Sequence, residues 1–91
     1  MIITEHAYKR AKERLKWKNS VLDKMAEIAL KEGLRHKDTK GTLRKYIDKL
    51  WLKYKNCNNI RIYGENIYIF PGSTLVTIYR LDNKLIKYIK Y

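Results

Sequence analysis

Asn58-Asn59-Ile60-Arg61-Ile62-Tyr63-Gly64-Glu65-Asn66-Ile67-Tyr68-Ile69-Phe70-Pro71-Gly72 is the stretch on which the fold turns. At Asn58 the apolar period changes from helical to alternating. Ile60-Arg61-Ile62-Tyr63 reads as a strand, Gly64-Glu65-Asn66 as a turn, and Ile67-Tyr68-Ile69-Phe70 as a second strand. Pro71-Gly72-Ser73 turns the chain again, and Leu75-Val76-Thr77-Ile78-Tyr79 is a third strand. Turns this short make an antiparallel meander.

Side chains alternate across a strand, so the two faces can be sorted. One face carries Ile60, Ile62, Ile67, Ile69, Val76 and Ile78, and is expected to pack on helices. The other carries Arg61, Tyr63, Tyr68, Phe70, Thr77 and Tyr79. Rings, hydroxyls and a guanidinium suit unstacked RNA bases and phosphates. The competing reading is structural: aromatic residues favour strands, and the C-terminal helix or a second subunit in a homodimer would cover this face.

Upstream, the period is helical. Thr4 reads as an N-cap with Glu5 in the first turn, and Ala7, Ala11 and Leu15 mark a helix over 5–16. Asn19 or Ser20 is expected to cap a second helix carrying Val21, Leu22, Met25, Ala26, Ala29 and Leu30. Gly33 is expected to end it at positive φ. Residues 34–40 read as a loop. A third helix is expected from about Gly41 to Tyr54, with Leu43, Tyr46, Ile47, Leu50 and Tyr54 as its apolar stripe and Trp51 widening it. Asp82 caps a short last helix with Leu85, Ile86 and Ile89. The expected fold is α+β, with three N-terminal helices packed on a three-stranded antiparallel meander and a short C-terminal helix. The length implies a single domain over residues 1–91.

The charge points to partners. Lys and Arg number 21 against 9 Asp and Glu, a net of +12. Residues 1–55 hold +9 of it and residues 56–91 the remaining +3. Such a field draws polyanions, of which nucleic acid is the usual one. The 45% hydrophobic content excludes a disordered basic tail. One cysteine, Cys57, allows no internal disulfide, which fits a reducing compartment. Met1 to His6 carries no apolar signal core, and no apolar run approaches the ~18 residues of a membrane span. A soluble, cytoplasmic protein with no membrane association is expected.

The sharpest local pattern is His6, Arg10 and Arg14 at i, i+4 and i+8, one line along the first helix beside its buried stripe. Histidine exchanges protons near neutral pH, and arginine grips phosphate through paired N–H groups. RNA cleavage needs a base for the 2′-OH, an acid for the leaving oxygen and donors for the charged phosphorane. His6, Arg10 and Tyr79 are the candidate catalytic set. Arg14, Arg61, Tyr63, Tyr68, Thr77, Lys45 and Lys49 are the candidate nucleic-acid contacts. The basic loop also offers His36 as a phosphate contact. The bland reading is a solvated face in a lysine-rich chain. There is no Gly-rich phosphate loop and no metal-ligand cluster, so neither cofactor nor metal is expected. Cys57 has no evident base beside it, although Lys55 is near.

Ile3-Thr4-Glu5-His6-Ala7-Tyr8-Lys9-Arg10-Ala11-Lys12-Glu13-Arg14 resembles the opening of a group of small bacterial and phage proteins. The stretches from Asn58 to Gly64 and from Leu75 to Tyr79 resemble the sheet of the same group, which is similar to the ribonuclease-toxin fold of barnase, certain colicins and RelE-type toxins. The resemblance implies N-terminal helices against an antiparallel sheet and RNA cleavage without metal. It points to His6 and Arg10 on the helix and Arg61, Thr77 and Tyr79 on the sheet. The leading expectation is an RNA-directed basic protein of a phage or mobile element acting as a metal-independent endoribonuclease, with RNA favoured over DNA. The alternatives are a non-catalytic nucleic-acid-binding module and a phage inhibitor of a host protein or nucleoprotein.

Overall fold

Strand β4 (Asn66–Phe70) is buried at every position. Its alternation is apolar on both sides, with Ile67 and Ile69 facing one way and Tyr68 and Phe70 the other. A strand of that kind needs cover on both faces, and the computed structural model, which describes residues 1–54 and 59–89, supplies it.

In chain order the elements are β1 (Ile2–Ile3), α1 (Glu5–Leu15), α2 (Asn19–Glu32), β2 (Leu34–Arg35), a 3₁₀ turn (His36–Asp38), α3 (Gly41–Lys53), β3 (Asn59–Tyr63), β4, β5 (Thr74–Leu75), β6 (Thr77–Arg80) and α4 (Asn83–Ile86). Four strands form an antiparallel sheet in the order β2-β3-β4-β6, and β1 pairs with β5 in parallel. The expected three-stranded meander is therefore incomplete. The stretch read as a loop donates an edge strand, and two short apolar segments distant in sequence find each other. Two-residue strands leave no periodicity to detect.

The helices divide between the faces. Ala7 and Ala11 of α1 and Leu22, Ala26 and Ala29 of α2 pack with Tyr68, Phe70, Leu75 and Ile78. Leu43, Ile47 and Leu50 of α3 and Leu85 of α4 pack with Ile60, Ile62, Ile67 and Ile69. The aromatic face is thus no platform. Tyr68 and Phe70 are 0% exposed, because α1 and α2 present alanines that let the backbones approach around the large rings. The cover that the sequence reading left to the C-terminal helix or a second subunit comes, over Tyr68 and Phe70, from α1 and α2.

One register shift matters for function. Val76 N–H donates to Ile69 O at 3.0 Å, while Thr77 is the register partner of Ile69. Two residues therefore oppose one, which is a β-bulge. Beyond it, Ile78 faces Tyr68 and Tyr79 faces Ile67. This reverses the expected sides: Ile78 joins the aromatic core, and Thr77 and Tyr79 turn to the isoleucine side.

The caps partly follow expectation. Thr4 Oγ1 accepts from Ala7 N–H at 3.1 Å, and Asp82 Oδ1 accepts from Lys84 N–H at 2.9 Å. The N-cap of α2 is Lys18, without a side-chain bond, rather than Asn19 or Ser20, which already lie within the helix. Gly33 has φ −66°, not a positive value. Its need for glycine is steric, since a Cβ there would lie 2.5 Å from Ala29 O and 3.0 Å from Arg61 Cβ. Among the described residues no helix is long and apolar enough to cross a membrane. Lys55, Cys57 and Asn58, named in the sequence reading, lie outside the described residues.

Candidate functional site

The bulge delivers Tyr79 to the place where α1, β6 and the end of α3 converge. β6 is an edge strand, and α1 lies along it. Arg14, in the last turn of α1, reaches across the edge. Its Nη1 donates to Ile78 O at 2.9 Å and to Thr77 Oγ1 at 3.4 Å. Its Cζ stands 4.2 Å from the centroid of the Tyr79 ring, within the range of a cation–π contact. Occupying an edge carbonyl also blunts the strand against further pairing.

From the other side comes Tyr54, whose N–H closes α3 on Leu50 O at 2.9 Å. The Tyr54 and Tyr79 hydroxyls hydrogen-bond to one another. Lys53 Nζ lies 5.6 Å from the Tyr54 ring centroid. The two phenols are shifted in opposite directions. Burial, the hydrogen bond to Tyr79 and the charge of Tyr79 push Tyr54 up to about 12, against a smaller pull from Arg14 and Arg10. Burial would raise Tyr79 too. The hydrogen bond from Tyr54 and the positive charges of Lys53 and Arg14 together outweigh it and hold Tyr79 below the usual phenol value. The titration belongs to the pair, and the neighbouring Lys53 and Arg14 charges favour the phenolate on Tyr79. Tyr46 is raised by burial first, then by Tyr79 and Asp82, so a third phenol borders the pair.

The rest of the α1 line is placed as follows. Arg10 Nη1 pairs with Glu13 Oε2 at 2.7 Å, and Arg10 Nε donates to His6 Nε2 at 3.4 Å. That bond requires His6 to carry its proton on Nδ1. His6 is exposed and sits two turns before Arg14, about 12 Å along the helix axis. Among the described residues the structure therefore joins Arg14, Thr77 and Tyr79 directly, brings Arg10 close enough to act on Tyr54, and connects His6 through Arg10.

Other candidates fall elsewhere. Tyr68 is sealed in the core, and Thr77 is 2% exposed; neither offers a surface to a base, because helix α1 covers the one and the sheet edge closes over the other. Tyr63 is half-buried against the α1–α2 core. Arg61 lies two strands from β6, about 10 Å away, and faces the opposite side of the sheet. Lys45 and Lys49 are exposed on α3, in a line that continues to Lys53 one turn on.

Tyr54 is the member of this cluster that the sequence reading did not single out, whereas Lys53 continues the Lys45–Lys49 line already read as a phosphate track. Tyr54 was legible only as the last apolar residue of α3. Its position at the helix end, where a ring can be buried while its hydroxyl is not, is the signal that marks it. Compared with known proteins, the chain matches no family model, no curated protein and no solved structure.

Proposed function

We propose that the chain is an RNA-directed protein of phage or mobile-element type that cleaves RNA without metal, using the Tyr54–Tyr79 pair. The observation that carries this reading is the half-buried Tyr79 phenol, held below its usual pKa between Arg14 and Tyr54 at the β6 edge of the sheet. A poised phenol beside several cations is what a proton transfer at phosphate requires. The +12 charge supports the same reading.

In this scheme the Tyr79 phenolate takes the proton of a 2′-OH, and the 2′-oxygen attacks phosphorus. Arg14, Arg10 and Lys53 hold the extra negative charge of the phosphorane. The bond to the 5′-oxygen breaks, and that oxygen takes a proton from Tyr54. The proton on Tyr79 passes across the hydrogen bond to Tyr54 and restores the pair. The products are a 2′,3′-cyclic phosphate and a 5′-hydroxyl. His6 acts as a positioning residue that holds Arg10.

The test is incubation with end-labelled single-stranded RNA in EDTA, beside Tyr79→Phe and His6→Ala. Loss of cleavage in Tyr79→Phe, with His6→Ala within a few-fold of the parent, is expected. Equal cleavage by Tyr79→Phe and the parent overturns the assignment. Salt-sensitive binding without cleavage makes the protein a binding module. Neither binding nor cleavage points to a host protein as the partner.

A further inference from the structure

At the opposite edge of the sheet, β2 and β3 bring two guanidinium groups into direct register: Arg35 and Arg61 are Cα partners of an antiparallel pair. Like charges placed across a strand pair repel. Burial first, and then Arg35, hold the Arg61 pKa below the usual arginine value, with Asp38 pulling the other way. Asp38 is engaged with the Arg35 main chain, accepting from its N–H at 3.1 Å. Among the described residues neither guanidinium forms an ion pair, and Lys37 beside them forms none. Arg61 Nε donates to Asn59 Oδ1 at 2.7 Å, which fixes the plane of its guanidinium.

These groups line a groove of about 370 Å³ together with Trp51 and His36, within the size range of small-ligand sites. Trp51 is a large ring left 36% exposed. Its partner His36 packs at 5.1 Å between ring centroids and is anchored to the Asp48 carboxylate. A positioned ring beside guanidinium groups that no carboxylate pairs among the described residues is the equipment for one nucleotide, since every base has a face to stack and every phosphate a charge to pair. Helix α3 is the element the groove shares with the phenol site. Trp51 and Tyr54 are i, i+3 neighbours at the end of α3, which places their Cβ atoms about 5–6 Å apart.

We propose that this groove is a nucleotide subsite for a single RNA strand, with a phosphate held between Arg35 and Arg61 and an unpaired base laid against Trp51. The strand then passes over the end of α3 to the Tyr54–Tyr79 pair. The subsite rests on the RNA-directed reading but not on cleavage. A duplex is not accepted, because its bases are already stacked.

The test uses a 3′-labelled 2′-O-methyl oligouridine of about ten nucleotides, which cannot be cut through its 2′-oxygen, and reads binding by fluorescence anisotropy. Trp51→Leu is expected to weaken binding about tenfold. Arg35→Ala is expected to lower the slope of log K against log salt by about one. Lys24→Ala, an exposed lysine on α2, serves as the control for general charge and leaves both nearly unchanged. A strand with abasic positions should lose affinity for the parent but lose no more for Trp51→Leu. Circular dichroism confirms that each variant is folded. If Lys24→Ala weakens binding as much as Arg35→Ala while Trp51→Leu is inert, the subsite is overturned and the RNA-directed reading stands. If the parent binds no RNA, both fall. Binding that depends on Arg35 and Trp51 upholds the subsite, and if unmodified RNA in EDTA is then left uncut the subsite stands while the catalytic scheme is removed.

Discussion

The two edges of the sheet treat positive charge differently. At the β6 edge Arg14 is engaged: it donates to Ile78 O and Thr77 Oγ1 and lies over the Tyr79 ring. At the β2 edge Arg35 and Arg61 face each other with no carboxylate paired to either guanidinium among the described residues. An engaged cation holds a defined position and tunes its neighbours, which suits chemistry. Two like charges with no paired carboxylate carry a repulsion that an arriving anion relieves, which suits binding. The same residue type serves two purposes because the neighbours differ.

Substituting at each edge in turn tests this division. The largest effect is expected from Tyr79→Phe, which should lower the single-turnover cleavage rate by about 10²–10⁴-fold, or about 3–5 kcal/mol in barrier height. Arg35→Ala should leave that rate unchanged at saturating RNA and raise only the concentration needed to reach it. If both variants reduce the rate equally, the edges do not divide the work.

Gly33→Ala should act on the β2 edge through stability. The added Cβ meets Ala29 O at 2.5 Å and Arg61 Cβ at 3.0 Å, so the last turn of α2 must deform and draw back from β3. A loss of about 2–3 kcal/mol in chemical denaturation is expected, with RNA affinity falling further than stability alone explains.

The pH profile sharpens the description of the β6 edge. Tyr79 ionises below the usual phenol value and Tyr54 at about 12. A phenolate base is formed as pH rises, so cleavage should increase on the alkaline side up to the Tyr79 pKa and then level. Tyr54→Phe removes the hydrogen bond that lowers Tyr79, so the rise should move to higher pH. Absorbance titration of the phenolate bands should show the same displacement. An unmoved profile would mean that the two phenols do not titrate as a pair.

The smallest effect is expected from Thr4→Ala. Thr4 caps the helix that carries Arg10 and Arg14 to the β6 edge, and losing such a cap costs about 1 kcal/mol. Stability should fall by that amount, and a modest rate loss should appear without any change in affinity at the groove.

What the sequence determined by itself were the features written in local periodicity. The three long helices, the strands from Ile60 to Tyr63 and from Ile67 to Phe70, the Thr4 and Asp82 caps and the basic field are all readable from spacing and residue type. The line of His6, Arg10 and Arg14 was readable too, as neighbours on one helix face. Tertiary structure alone decided which side each element covers. Alternating strands display two apolar faces without stating what lies over them, so the burial of Tyr68 and Phe70 under the small residues of α1 and α2 was invisible. It also decided the pairing of Ile2–Ile3 with Thr74–Leu75, because so short a strand is specified by its partner rather than by its own pattern. Above all it decided the bulge opposite Ile69. A single extra residue in a strand leaves the sequence alternation intact and reverses every side chain beyond it. That reversal carries Tyr79 away from the aromatic core and sets its hydroxyl against Tyr54.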